Sequence, residues 1–244
     1  MSGGQRWIVT GASRGLGKAI ADTALDAGAR VACLSRSAGR GQESEPDERL
    51  IHVAADVTDP KSMAEAAAQI ERAWGGIDVL VNNAGLHRGG LVEQLDLGDF
   101  ADVIATNVSG PLHATRAFLP LFPAEGEQSE GGSIVNIGAV VGLRGFAGDV
   151  AYGSSKAALA GMTRVLAMEL ARRLIRVNLV LPGFVSTEMT AEISQKARER
   201  IIADIPLRRE GTPGEIAQVV WWVANAPYMT GSTVATDGGL LCKL

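Results

Sequence analysis

The chain has 244 residues, of which 46% are hydrophobic and 20% charged, a composition typical of a globular protein with one large core. A formal net charge of −4 without a basic stripe argues against a nucleic-acid partner. No run of eighteen apolar residues occurs and the first six residues lack a signal-peptide pattern, so we expect a cytoplasmic protein without a membrane segment.

Short apolar runs alternate with longer helical patterns along the chain. Strands joined through helices form parallel crossover units, so this alternation predicts an α/β fold with one domain, residues 1–244, and a doubly wound seven-stranded parallel sheet with helices on both faces. The predicted strands are residues 7–10, 30–34, 50–54, 77–81, 133–137, 176–181 and 232–236. The predicted helices are residues 16–27, 61–74, 97–121, 152–173, 190–204 and 213–226. Residues 39–49 contain no apolar side chain and are predicted to form a polar loop, because a helix there has no face to bury.

The first predicted strand runs through a glycine-rich turn directly into a helix. The turn has the spacing G-x-x-x-G-x-G, with glycines at Gly11, Gly15 and Gly17. Glycines let the backbone approach a pyrophosphate closely, and the free amides and positive N-terminus of the helix meet its charge. The turn therefore predicts a dinucleotide cofactor.

A tyrosine and a lysine stand four residues apart in the fifth predicted helix, at Tyr152 and Lys156. Side chains at this spacing share one helix face. We expect the lysine ammonium to lower the pKa of the phenol and make it a proton donor near neutral pH.

Further motifs follow in a fixed order. They are Asp56-Val57, Asn82-Asn83-Ala84-Gly85, Asn107 within a long helix, and Pro182-Gly183-Phe184-Val185-Ser186-Thr187. With the glycine turn and the tyrosine–lysine pair, they resemble the short-chain dehydrogenases/reductases, most closely the 3-oxoacyl-carrier-protein reductases and carbonyl reductases. The resemblance covers nearly the whole chain and implies a Rossmann fold.

The resemblance also implies a mechanism. Tyr152 protonates the carbonyl oxygen during hydride transfer, Lys156 holds the nicotinamide ribose, and Asn107 supports a water chain that resupplies the proton. Where the family carries a serine that binds the substrate oxygen and fixes the tyrosine, this chain has Ala139. The neighbouring residues keep the reductase pattern, which favours an introduced Ser-to-Ala change, but the sequence leaves a natural alanine open. In either case we expect impaired turnover.

The second predicted strand ends in Ser35-Arg36 rather than in the acidic residue that binds the ribose 2′-hydroxyl of NAD. Arg36 and Arg14, with Arg40 as a further candidate, are suited to clamp a 2′-phosphate, so we predict NADP(H). The expected cofactor-binding residues are Gly11, Ser13, Arg14, Gly15, Leu16, Gly17, Ser35, Arg36, Asp56, Val57, Asn83, Ala84, Gly85, Tyr152, Lys156, Pro182, Gly183, Val185 and Thr187, and no metal ligand is expected.

The substrate is left open between a small carbonyl compound and an acyl thioester. The family's carrier-protein reductases dock an acidic carrier through basic residues, and this chain has Arg172 and Arg173 near the end of the fifth helix. The acidic Glu125, Glu127 and Glu130 oppose such a partner.

Assembly and overall role are further expectations. The resemblance implies a homotetramer, and residues 219–223 form an apolar run too wide for one buried stripe, although burial within the same subunit also explains it. Two classes stay open: an NADPH-dependent carbonyl reductase, and a catalytically weak cofactor-binding subunit with a structural or regulatory role.

Overall fold

The computed structural model describes residues 4–37, 48–123, 131–191 and 193–243. Within these ranges, seven parallel strands form one sheet in the order β3-β2-β1-β4-β5-β6-β7. The strands are β1 (Arg6–Thr10), β2 (Arg30–Ser35), β3 (Leu50–Ala54), β4 (Val79–Asn82), β5 (Gly132–Ile137), β6 (Ile175–Pro182) and β7 (Thr233–Thr236). The predicted doubly wound sheet is confirmed.

Helices cover both faces of the sheet. They are α1 (Gly15–Asp26), α2 (Pro60–Trp74), α3 (Leu97–Ile104), α4 (Gly110–Phe118), α5 (Val150–Leu170), α6 (Glu188–Ala191), α7 (Gln195–Asp204) and α8 (Pro213–Asn225). Alternate residues of each strand point to opposite faces, so Ile8 joins the core under α2, α4 and α5, while Val9 joins the core under α1 and α8. A core lies on each face of the sheet, which explains why the central strands are mainly apolar rather than alternating between apolar and polar residues.

The strand order reverses at β1, which pairs with β2 on one side and β4 on the other. In an open parallel sheet, such a switch point leaves a crevice beyond the carboxyl ends of the strands. The glycine turn follows β1 and the Asn83-Ala84-Gly85 turn follows β4, so both motifs border this crevice.

The long helix predicted over residues 97–121 is interrupted. A π-helical segment, Ala105–Ser109, separates α3 from α4, and a 3₁₀ turn, Leu119–Leu121, follows α4. Pro111 lacks an amide hydrogen for the carbonyl of Asn107, four residues earlier, which favours the wider turn at that point. The interruption therefore lies at the predicted site residue Asn107.

The helix predicted over residues 190–204 is also divided, into α6 and α7. Ser194 begins α7 by accepting a hydrogen bond from the Ala197 amide, which sets a new helix start. Most of the predicted polar loop, together with Arg40 and the acidic residues at 125, 127 and 130, lies outside the described residues. Among the described helices, none is long and apolar enough to cross a membrane.

Candidate active site

The glycine turn after β1 has the backbone geometry that its sequence predicts. Gly11 and Gly15 have φ angles of 66° and 56°, a region that favours glycine. At Gly17, a Cβ atom would lie 2.3 Å from the carbonyl oxygen of Gly11, so a side chain there would push the helix off the turn. Helix α1 begins at Arg14 without a side-chain cap, whereas Asp59 caps α2 and Thr212 caps α8. The first-turn amides of α1 thus lack a side-chain acceptor, which suits an anion.

The turns after β1 and β4 are joined by hydrogen bonds. The Thr10 hydroxyl accepts bonds of 3.0 Å from the amides of Asn83 and Ala84. In return, the Asn83 side-chain amide donates to the carbonyl oxygens of Thr10 and Gly11 at 3.0 and 3.2 Å. Asn83 therefore holds the crevice in shape through its side chain, and Thr10 is its partner.

The adenosine end of the predicted cofactor site lies at β2 and β3. Asp56 follows β3, and its carboxylate accepts hydrogen bonds from the backbone amide and hydroxyl of Thr58 at 2.9 and 2.8 Å. Partial burial raises the pKa of Asp56, but these bonds and the charge of Arg36 outweigh it and leave the pKa below its usual value. The carbonyl of Val57 contacts a ring nitrogen of His113 at 3.0 Å, and the Ser35 hydroxyl donates to the Ser37 carbonyl at 2.8 Å.

The segment after β6 lies against the glycine turn. Pro182 ends the strand, and at Gly183 a Cβ atom would come within 2.6 Å of the Asp237 Cα atom. Thr187 lies beside Gly15, with its Cβ atom 3.9 Å from the point where a Gly15 Cβ would stand. The exposed Arg14 and Glu188 form an ion pair of 2.6 Å that links the two segments.

Asn107 is fully buried and connects three parts of the site. Its side-chain carbonyl accepts from the Leu86 amide at 2.7 Å, and its amide donates to the Leu86 carbonyl and the Ser155 hydroxyl, both at 2.9 Å. Ser155 donates in turn to the Tyr152 carbonyl at 2.7 Å. The π-helical segment is thereby tied both to the turn after β4 and to the start of α5.

Tyr152 and Lys156 lie on one face of α5 as predicted, with the lysine Nζ atom 5.6 Å from the centroid of the tyrosine ring. Lys156 is buried and donates to the Ile137 carbonyl at 2.8 Å. The predicted lowering of the tyrosine pKa is wrong: burial and the charge of Asp149 raise the pKa of Tyr152 to about 12, and burial lowers the pKa of Lys156 to about 8. The expectation failed because burial penalises both charged forms, and the ammonium lies over the ring and faces a carbonyl.

Ala139 lies two residues beyond β5, buried and in an extended conformation. The 3₁₀ turn Val140–Gly142 after it packs tightly on α5, since a Cβ atom at Gly142 would lie 2.8 Å from the backbone of Lys156 and Ala157. Among the described residues, the Tyr152 hydroxyl has no hydrogen-bond partner. Ser155, three residues after Tyr152, is engaged by Asn107 and by the Tyr152 carbonyl.

The chain is similar in sequence and fold to known proteins. A family model described as enoyl-(acyl carrier protein) reductase matches residues 11–241. The chain is 39% identical over 236 residues to carbonyl reductase family member 4 of Danio rerio, with 96% of each chain covered. It is 38% identical over 246 residues to the 3-oxoacyl-[acyl-carrier-protein] reductase FabG of Thermotoga maritima, with 98% of each covered. The solved structure of ElxO with NADP bound is 30% identical, with a TM-score of 0.88, covering 98% of this chain and 99% of that one.

The chain belongs to the short-chain dehydrogenase/reductase family. The oxidoreductase class and the resemblance to 3-oxoacyl and carbonyl reductases are thereby confirmed. The structure brings the predicted residues of this family together at one edge of the sheet, beyond the carboxyl ends of β1 to β6.

Three features of this short-chain dehydrogenase/reductase were missed from sequence. Thr10 binds the turn after β4, and Glu188 pairs with Arg14. His87 contacts Tyr152, with ring centroids 5.0 Å apart and planes at 81°, and its Nε2 atom lies 2.8 Å from a carboxylate oxygen of Asp149. None of the three belongs to a sequence motif. The only signal for His87 was its position, two residues after the Asn82-Asn83-Ala84-Gly85 turn.

Proposed function

We propose that this protein reduces a ketone or a 3-oxoacyl thioester to the alcohol with NADPH, at a rate lowered by Ala139. One observation carries the proposal: Tyr152, Lys156 and Asn107 are assembled at the crevice that begins with the glycine turn. The names of the zebrafish and Thermotoga relatives support a carbonyl or 3-oxoacyl substrate.

The residues fit a dinucleotide. The uncapped start of α1 and the glycines at positive φ suit a pyrophosphate at the turn after β1. When bound there, a reduced nicotinamide supplies the hydride. Gly85 leaves the space beside Asn107 and Lys156 open, since a Cβ atom at that position would lie 3.6 Å from both functional groups.

NADP(H) is the expected form of the cofactor. Within the described residues 30–37, no acidic side chain stands at the end of β2, and Arg36 there is exposed and close enough to lower the pKa of Asp56. A guanidinium there suits a 2′-phosphate through charge-assisted hydrogen bonds. The NADP-bound ElxO structure, 30% identical to this chain, supports the same choice.

The chain's own residues supply the proton. A phenol with a pKa of about 12 remains protonated at neutral pH, so Tyr152 donates from its hydroxyl oxygen as negative charge develops on the carbonyl oxygen. The buried Lys156 ammonium stabilises the phenolate that this transfer leaves behind. Asn107, held by Leu86 and Ser155, fixes the backbone of the π-helical segment beside them.

Ala139 removes one donor from this arrangement. Loss of a single preorganised donor to a developing oxyanion costs about 10²- to 10³-fold in turnover, roughly 3 to 4 kcal/mol. Cofactor binding does not depend on this side chain, so we expect it to remain. We therefore infer a weak reductase rather than an inactive one.

The substrate is expected to be apolar near the reacting carbonyl. Exposed apolar side chains lie on the loop after β4, on the loop after β5 and at the start of α5, namely Leu91, Val92, Leu143 and Val150. A carrier protein remains a candidate partner, and Arg172 is exposed at the end of α5. Arg173 is less available, because it donates to the Leu119 carbonyl at 2.9 Å.

A second candidate rests on Ala139 itself. A subunit that binds the cofactor without turning over substrate tolerates an alanine there, whereas a reductase is slowed by it. The discriminating experiment assays a panel of ketones, coenzyme A thioesters and carrier-bound 3-oxoacyl chains with NADPH, using the Ala139 protein and an Ala139→Ser variant. Turnover of at least one carbonyl supports the reductase, and cofactor binding with no turnover in either form supports the subunit.

A further inference from the structure

Two side chains outside the family motifs meet beside the ring of Tyr152. His87 lies on the loop after β4 and Asp149 on the loop before α5, 62 residues later in the chain. Their side chains meet at 2.8 Å, and the His87 ring lies nearly perpendicular to the Tyr152 ring at a centroid distance of 5.0 Å. A perpendicular arrangement at this distance is a favourable aromatic contact.

The two loops are joined by their backbones as well. Gly90 donates its amide hydrogen to the Gly148 carbonyl at 2.8 Å, and Gly90 forms a parallel bridge with Asp149. A carboxylate accepts hydrogen bonds only, so the hydrogen of the pair is on Nε2 of His87. Asp149 thereby fixes both the tautomer and the orientation of the imidazole that touches Tyr152.

The tyrosine needs such support in this chain. Its hydroxyl has no hydrogen-bond partner among the described residues, and position 139 offers no hydroxyl. We propose that His87, oriented by Asp149, is a positioning residue that holds the Tyr152 ring in place of the hydrogen bond that Ala139 cannot make. This inference rests on the proposed reductase function, in which Tyr152 is the proton donor.

The test separates the ring contact from the link between the loops. His87→Gln keeps an amide donor for Asp149 but removes the ring, and His87→Leu removes both. Arg88→Ala is the matched control, because Arg88 is the next residue and pairs with Asp99 at 3.3 Å.

If the ring positions Tyr152, both His87 variants lower kcat on the order of tenfold or more, while the KM for the carbonyl and the Kd for NADPH change by less than about twofold. In the Ala139→Ser background, the same His87 variants should lower kcat by less than about threefold, because the serine hydroxyl again binds the phenol. An unchanged kcat in His87→Gln would overturn the proposal. So would an equal fold loss of kcat in the Ala139 protein and in the Ala139→Ser variant.

A second readout needs no turnover. The chain has two tyrosines, and Tyr228 is fully exposed, so a Tyr228→Phe chain labelled with ¹³C-tyrosine reports on Tyr152 alone. We expect His87→Gln to shift the ring-carbon signals towards those of a mobile tyrosine, and Arg88→Ala to leave them unchanged. Unchanged signals in His87→Gln contradict the proposal. If the signals move but no form reduces any carbonyl, the positioning stands and the reductase function fails.

Discussion

The Nζ atom of Lys156 lies 5.6 Å from the centroid of the Tyr152 ring and donates its hydrogen bond to the carbonyl of Ile137. This position gives the lysine a backbone partner but no carboxylate among the described residues, and burial lowers its pKa to about 8. Lys156 is therefore a buried ammonium that is close to losing its proton at mildly alkaline pH.

This burial predicts an unusual pH dependence of stability. An unfolded lysine has a pKa near 10.5, so between about pH 8 and 10.5 the unfolded chain binds more protons than the folded one, and the free energy of unfolding rises with pH. From pH 7.5 to 9.5 we expect a contribution of about 2 kcal/mol from Lys156.

Urea unfolding of the native chain and of Lys156→Met at both pH values measures this contribution. Burial raises the pKa of Cys33 to about 12. This shift affects both proteins equally, so it does not contribute to the difference between their free energies of unfolding. If the free energy of unfolding changes by the same amount in both proteins between the two pH values, the lysine does not titrate in this range.

Arg36 should decide the choice between the two cofactors. Arg36→Ala is expected to weaken NADPH binding by about tenfold, because a charge-assisted contact to the 2′-phosphate is lost, and to change NADH binding by less than about twofold. Arg30→Ala, an exposed arginine at the other end of β2, serves as the control. Fluorescence titration gives the dissociation constants, and equal or better binding of NADH by the native chain would refute NADP(H) specificity.

The ion pair between Arg14 and Glu188 should compete with the cofactor. Both side chains are exposed, so the pair is worth less than about 1 kcal/mol. Glu188→Gln is expected to free Arg14 and tighten NADPH binding by up to about fivefold, with no gain in an Arg14→Ala background. Weaker binding in Glu188→Gln alone would mean that the pair instead helps to form the site.

The fold was predictable because both faces of the central strands are buried. Runs such as that of β4 are mainly apolar for this reason, and turn residues separate them from the helices. The positions of Tyr152 and Lys156 also followed from helix periodicity alone. Both features depend on residues that are close together in the sequence, so one sequence is enough to predict them.

The contacts that complete the site were not predictable in the same way. Arg14 and Glu188 are 174 residues apart in the chain, and His87 and Asp149 are 62 apart. Each pair depends on how loops meet beyond the sheet, which no periodicity encodes. The direction of the pKa of Tyr152 failed for a related reason, because burial and the charge of Asp149 act only in the folded chain.

Assembly into a tetramer remains a prediction. Within the run 219–223, Val220 and Val223 are buried in the subunit's own core and Trp221 stacks on Trp7 with ring centroids 4.9 Å apart, so only Trp222 is mainly exposed. Val165 and Met168 on α5 are also exposed.

Light scattering at micromolar concentration should give the mass of four chains. A Val165→Glu/Met168→Glu variant should give a smaller mass, because charges placed in an apolar contact are costly to bury. The mass of a single chain for the native protein would rule the tetramer out.

Ala139→Ser tests the central claim most directly. In single-turnover reduction of a carbonyl from the panel, we expect the serine variant to be at least about tenfold faster than the native chain, with the NADPH dissociation constant changed by less than about threefold. Tyr152→Phe in the Ala139→Ser background should abolish this increase in the reduction rate. If the serine variant is no faster on any carbonyl and Tyr152→Phe also changes nothing, the protein is a cofactor-binding subunit and not a reductase.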